Sequence, residues 1–238
     1  MSNISISENE YNQQNLIYLQ NTLSELFAHT ECKLKEEKGG KRTLLKVNCP
    51  EYYKDVVKAE LNDKIAEVLV IKYKYDYFKR VIRVGGLSRV EYEILIASLI
   101  AADLDDDKKY VYERLKCLSE IAVDGVFNFR LKPLRKKWAE VAGYIPSTFI
   151  NSQLKEFITF LLEPKTKQVY IDGGKVYDYN YRRLKRASLL DGEECKIIRE
   201  VLLSGGGRIE ISGSVPPLDE EYLREYYGEK IIFSPIYQ

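Results

Sequence analysis

The chain has 238 residues, of which 45% are hydrophobic and 31% charged, an ordinary globular composition that excludes global disorder. That length allows one large or two small domains, with a core that needs no disulfide staples. Lys plus Arg number 37 and Asp plus Glu 36, so no whole-molecule field draws the protein to nucleic acid or anionic lipid, and any such binding has to come from a local patch.

In chain order, residues 3–6 alternate Asn, Ile, Ser, Ile and predict a short strand. Residues 9–28 read as a helix with Leu16, Leu19, Leu23, Leu26 and Phe27 on one stripe. Two strand-like runs, Thr30–Lys35 and Arg42–Val47, flank the glycine turn EEKGGK. Together these make a small α/β cap whose strand edges are a candidate interaction surface. His29 stands alone in the cap and reads as a helix-end residue rather than a catalytic one. Pro50 suits the first turn of the next helix, which carries Val57, Leu61, Ile65, Val68 and Leu69 into the tyrosine-rich KYKYDYFKR at 72–80. There Tyr73 and Tyr77 share a helix face, as do Tyr75 and Phe78, a geometry that serves core packing or base stacking. Gly85 and Gly86 break the helix. Ser88 and Glu91 form a capping box that opens another, with Tyr92, Leu95, Ile96, Leu99 and Ile100 on a strongly apolar, central face. Asp103 and Asp105–Asp107 lack the spacing, glycine and closing glutamate of a calcium loop. They suit the N-terminus of a helix expected from Lys108 to Ala122.

The stretch Val123–Trp138, VDGVFNFRLKPLRKKW, changes character. Phe127, Phe129 and Leu131 alternate with Asn128, Arg130 and Lys132, which predicts an extended segment, and Gly125 is placed to close the preceding helix. Arg130, Lys132, Arg135, Lys136 and Lys137 follow with no acid among them. Such cations beside phenylalanine and tryptophan can grip a phosphate backbone and stack on a base, or can be the solvated face of an ordinary helix. A helix through Leu134, Trp138 and Val141 stops near Gly143. Pro146 and Ser147 restart it as the stripe Ile150, Leu154, Phe157, Ile158 and Leu161, ended by Pro164. The period then changes to a hairpin, Gln168–Asp172 and Lys175–Asp178, around an Asp-Gly-Gly turn. A basic cluster at 182–186 precedes a helix over Gly192–Leu203. SGGGR at 204–208 follows a helix and opens the strand Ile209–Ile211, the reverse of a phosphate loop. A helix at 218–227 and a strand at Lys230–Phe233 complete a strand–helix–strand unit with two parallel neighbours.

The expected fold class is therefore α+β. An N-terminal α/β cap spans 1–49, a helical centre 50–164 and a C-terminal α/β region 165–238, with cap and tail possible partners in one sheet. Little supports catalysis: His29 has no nucleophile near it in sequence, and carboxylate spacing alone defines no acid–base pair. Cys32, Cys49, Cys117 and Cys195 are too scattered for a zinc motif and read as free thiols of a reducing cytoplasm, and no cofactor motif is present. MSNISISENEY has no basic n-region or apolar h-region, so neither a leader nor a membrane span is expected. The 19 tyrosines suit half-buried positions and interfaces.

The wording DGVFNFRLK, after a long helical region and before NSQLKEFITFLL, resembles the YtxC-like family of sporulation proteins from endospore-forming bacteria. Upstream VVKAELNDKIAEVLVIKYKYDYF and downstream YLREYYGEKIIF are similar too, so the resemblance covers most of 50–235. It rests on the order of segments, as none of them is a catalytic signature. Gly143 and Pro146 interrupt a region that the family keeps helical. The chain closes in SPIYQ where some members carry cysteines, so no metal or redox role of those cysteines carries over. The resemblance implies a non-enzymatic sporulation protein that acts through protein–protein interaction. The alternative is a nucleic-acid-binding module using the clusters at 72–83, 130–137 and 182–186, with Lys72, Lys74, Arg130, Lys132, Arg135, Lys136 and Arg182 as its contacts. That reading requires the clusters to share a face.

Overall fold

The computed structural model describes residues 2–234. In chain order its elements are β1 (Ser2–Asn9), α1 (Gln13–Thr22), α2 (Ser24–His29), β2 (Lys33–Gly39), β3 (Arg42–Cys49), α3 (Lys54–Val68), α4 (Lys74–Val81), α5 (Arg89–Ala102) and α6 (Leu104–Leu115). There follow β4 (Glu120–Ala122), α7 (Val123–Gly125), α8 (Lys132–Gly143), α9 (Asn151–Leu162), β5 (Lys167–Asp172), β6 (Lys175–Tyr177), α10 (Lys196–Ser204), β7 (Gly206–Ser212), α11 (Pro217–Tyr227) and β8 (Ile231–Phe233). Two wide π-helical turns, Leu69–Tyr73 and Val126–Arg130, join α3 to α4 and lead from α7 towards α8. The fold is α+β, with two small mixed sheets.

The chain divides into two compact units. The first comprises the residues up to Lys74 together with Asp105–Glu140, and the second Tyr75–Leu104 together with the residues from Val141 onward. The division cuts through the helical centre that the sequence presents as one region. Cap and tail strands form separate sheets, one in each unit.

In the first unit the strand order is β2-β3-β1-β4. Alternation sets the buried face: Ile4 and Ile6 of β1 lie opposite Val47 and Leu45 of β3, and all four are buried. Helix α1 packs on β1 and on α3, bringing Leu16 and Leu19 into a core with Val57, Leu61 and Ile65. Each such buried side chain stabilises by about 1.5–3 kcal/mol through apolar area removed from water. The predicted hairpin is present, with strand extending to Gly39 and the turn at Gly40, where φ is +59°. The helix expected over 108–122 ends at Leu115, because Glu120–Ala122 leave it to pair in parallel with Ser5–Ser7 of β1. Such a long-range partner overrides local helical pattern.

The second unit is built on α5, whose residues Ile94–Ala101 are all buried. Ser88 and Glu91 cap it reciprocally, as predicted. Helices α9 and α10 pack on α5, and α11 on both of them. The sheet order is β6-β5-β7-β8, with β5, β7 and β8 parallel, so the predicted crossover through α11 is present. The glycine run serves as a helix end and a strand start. Gly205 adopts the left-handed conformation after α10, and a Cβ on Gly207 would lie 1.9 Å from the Lys165 carbonyl oxygen. Helix α9 begins at Asn151 rather than at Pro146, because Gly85 pairs with Thr148 and holds that stretch extended.

Candidate binding surface

The extended segment expected at Phe127–Lys132 is instead helical. In the wide turn Val126–Arg130, Leu131 is buried and Phe127 half-buried, while Phe129 is 78% exposed. On a strand these three would share one face. The helical turn sends the middle one outward. Gly125 does not close a helix in the left-handed conformation either, since its φ is −66° inside the helical turn. A Cβ there would meet that of Ala122 at 3.2 Å.

Helix α8 continues with Leu134 and Trp138 inward, which turns Lys132 and Lys136, one turn apart, to solvent. Arg130 is exposed as well. Among the described residues Arg130, Lys132 and Lys136 have no ion-pair partner. Arg135 lies 5.0 Å over the Phe127 ring, a cation–π contact worth about 0.5–1 kcal/mol at such a site. The result is an exposed phenylalanine among cations, with no acid between Arg130 and Trp138.

This surface is braced from beneath. Phe127 stacks on Trp138 at 6.2 Å and meets Tyr73 of the other wide turn at 4.7 Å. Asp107, buried at the start of α6, accepts hydrogen bonds from Lys74 Nζ at 2.8 Å, Trp138 Nε1 at 2.8 Å and Lys137 Nζ at 3.2 Å. Tyr73 donates to Glu8, whose carboxylate also accepts from Asn15 Nδ2 and from the Asn9 backbone N–H. Glu8 is fully buried. Burial raises its pKa despite the bonds from Asn15, Asn9 and Tyr73, and the nearby Asp124 carboxylate adds to the rise. Asp124 itself is held below the usual carboxylate range by Arg42, whose guanidinium grips it bidentately at 2.6 and 2.9 Å. Glu67 accepts from Tyr18, Lys64 and Lys108. These buried carboxylates have filled acceptor positions, which is the pattern of groups that hold a core together. Among the described residues no three His, Cys, Asp or Glu side chains gather to hold a metal ion.

The seven residues singled out for nucleic acid fare differently. Arg130, Lys132, Arg135 and Lys136 lie together on the surface just described. Lys74 is fully buried, 2.8 Å from Asp107 and 5.6 Å from the Trp138 ring centre, so it offers nothing to a ligand. Lys72 is half-buried on the Leu69–Tyr73 turn. Arg182 is exposed but belongs to the second unit. The rest of the 72–83 cluster is engaged within the second unit: Lys79 pairs with Glu93 at 2.7 Å, Arg80 lies over the Tyr77 ring, and Arg83 donates to the Lys79 carbonyl. In the 182–186 cluster, Arg186 donates to the Leu203 carbonyl.

The bracing roles of Lys74 and Glu8 were not read from the sequence, although two signals for them were there. Val70, Lys74 and Phe78 are spaced four apart on one helix stripe, which puts a lysine among core residues. Ser2, Ile4, Ile6 and Glu8 alternate on one strand face, which puts a glutamate there. Among the described residues no helix is long and apolar enough to cross a membrane. Comparison of the chain with family models, curated proteins and solved structures finds no match.

Proposed function

We propose that the protein is a non-enzymatic, sporulation-associated protein of the YtxC-like kind. It acts in the cytoplasm of the developing cell by binding an acidic protein partner through the Phe129 surface. The observation that carries the binding reading is Phe129, 78% exposed beside Arg130, Lys132 and Lys136. An aromatic anchor ringed by polar and charged groups is the anatomy of a protein interface. The bracing by Asp107, Trp138 and Tyr73 supports it too, because a pre-ordered surface loses less entropy on binding. The process and the family rest on the order of segments around DGVFNFRLK.

The same surface favours a second reading, single-stranded nucleic acid, with Phe129 as the stacking platform. One experiment separates the two. The protein and a variant carrying Phe129→Ala, Lys132→Ala and Lys136→Ala are used as bait in extracts of sporulating cells and titrated against labelled single-stranded DNA and RNA. On the protein reading, the wild-type chain retains a specific acidic protein that the variant loses, and nucleic acid binds neither. On the second reading, three phosphate contacts give a log–log salt slope of about −2, so affinity falls about 20-fold between 50 and 200 mM salt. Equal behaviour of wild type and variant in both assays overturns the role of this surface.

A further inference from the structure

The β2–β3 hairpin brings together two cysteines that are far apart in sequence. Its ladder runs from Gly39↔Arg42 to Lys33↔Asn48. One step further, the same register sets Cys32 opposite Cys49, the last residue of β3. Side chains directly opposite on antiparallel strands point to the same face, with Cβ atoms about 4.5–5.5 Å apart. A disulfide needs about 3.5–4.5 Å, so closure asks for a shift of roughly an ångström. Cys32 lies one residue beyond the last rung of an edge strand whose residues are mostly exposed, so it, rather than Cys49 on the Ser2 rung of β3, is the partner placed to shift. Burial, together with the nearby Cys32 thiol, pushes the Cys49 thiol up. They differ in access: Cys49 is buried and Cys32 half-buried. Cys32 Sγ also lies 3.1 Å from Thr30 Oγ1.

We propose that Cys32 and Cys49 are a reversible thiol–disulfide pair, oxidised by low-molecular-weight disulfides through Cys32. The Cys32 thiolate attacks a sulfur of RSSR, forming a mixed disulfide and releasing one RSH. Cys49, as thiolate, then attacks the Cys32 sulfur, closing the protein disulfide and releasing the second RSH. Two protein thiols lose two electrons and two protons, and one RSSR gains them as two RSH. The product links the edge strand β2 to the interior strand β3 at the open end of the hairpin. This goes beyond the binding surface and does not depend on it, because the hairpin supplies none of that surface's residues.

The test uses the full chain, reduced and then incubated with oxidised glutathione at neutral pH. Thiols are blocked by alkylation and counted after unfolding, and disulfide-linked peptides are mapped by mass spectrometry. The expected result is loss of the Cys32 and Cys49 thiols together, with one peptide pair joining them and any glutathione confined to exposed Cys117. Slower hydrogen exchange in the amides of β2 is expected alongside it. A Cys117→Ser variant is expected to form the same link, its free thiols falling from three to one, because exposed Cys117 is outside the pair. In a Cys49→Ser variant glutathione is expected to remain on Cys32 as a stable mixed disulfide. If that variant does not fold, Cys32→Ser serves, and Cys49 is then expected to remain a thiol. Retention of the Cys32 and Cys49 thiols, glutathione persisting on Cys32 of the wild-type chain, or a link that joins either cysteine elsewhere overturns the proposal.

Discussion

Asp107 shows how much one side chain can decide. It is the counter-ion of buried Lys74 and the acceptor for the Trp138 indole. Asp107→Ala removes the carboxylate that pairs with the buried Lys74 ammonium, and the expected loss is about 3–5 kcal/mol in a urea unfolding titration. Replacing both partners, Lys74→Met with Asp107→Leu, is expected to recover part of that, because the pair's desolvation cost disappears together with its attraction while the buried Trp138 N–H still loses the Asp107 acceptor. Glu8 makes a prediction about pH. Well below the ordinary value of 4.5 it is protonated in both states and contributes nothing to the pH dependence. As the pH rises past 4.5 the unfolded chain releases the proton while the native state still holds it, so stability falls until Glu8 ionises in the native state too. Glu8→Gln is expected to flatten that part of the stability profile, and parallel profiles for the two chains would mean that native Glu8 is already ionised. Both residues stood out in the sequence, Glu8 as a charge on an apolar strand face and Asp107 as an acid at a helix N-terminus. Their partners, Trp138 and Tyr73, did not, because hydrogen bonds across 31 and 65 residues leave no local mark.

At the level of elements, the sequence was most legible where local chemistry decides. The capping box at Ser88, the Gly40 turn and the helix end at Gly205 all follow from single residues and their φ preferences. It was least legible at Phe127–Lys132, where alternation over six residues fits a strand and a wide helical turn equally well. That misreading put Phe129 on the same face as buried Leu131, whereas the helical turn sends Phe129 outward and Leu131 inward. The glycine run makes an element-scale prediction. Gly207→Ala would drive a Cβ into the Lys165 carbonyl, forcing β7 away from β5, where the ladder already shifts register. The expected cost is about 3 kcal/mol, at the upper end for single substitutions, measured by thermal unfolding. Gly143→Ala, in a position with open space around it, is the matched control and is expected to be neutral or slightly stabilising.

Across the whole molecule, the sequence conveyed the fold class but not the division into units. Hydrophobic periodicity says that a helix has a buried face, and it is silent about which later segment will cover that face. The stretch 50–164 therefore read as one helical region, although its middle, Tyr75–Leu104, has its core partners in residues from Val141 onward. The prediction at this scale concerns fragments. Residues 165–238 made alone lack α5, on which α10 packs, and are expected to show no cooperative unfolding and few dispersed amide resonances. Mixing them with a 1–164 fragment is expected to restore both signals.

The interleaving of the units also has a consequence for biosynthesis. The first unit has all its segments once residue 140 has left the ribosome, whereas α5 emerges well before its covering helices do. Roughly 100 further residues must be translated, which takes about 5–20 s at ordinary elongation rates. Throughout that interval the apolar run Ile94–Ala101 is displayed on a nascent chain, which makes it a segment that a chaperone would bind.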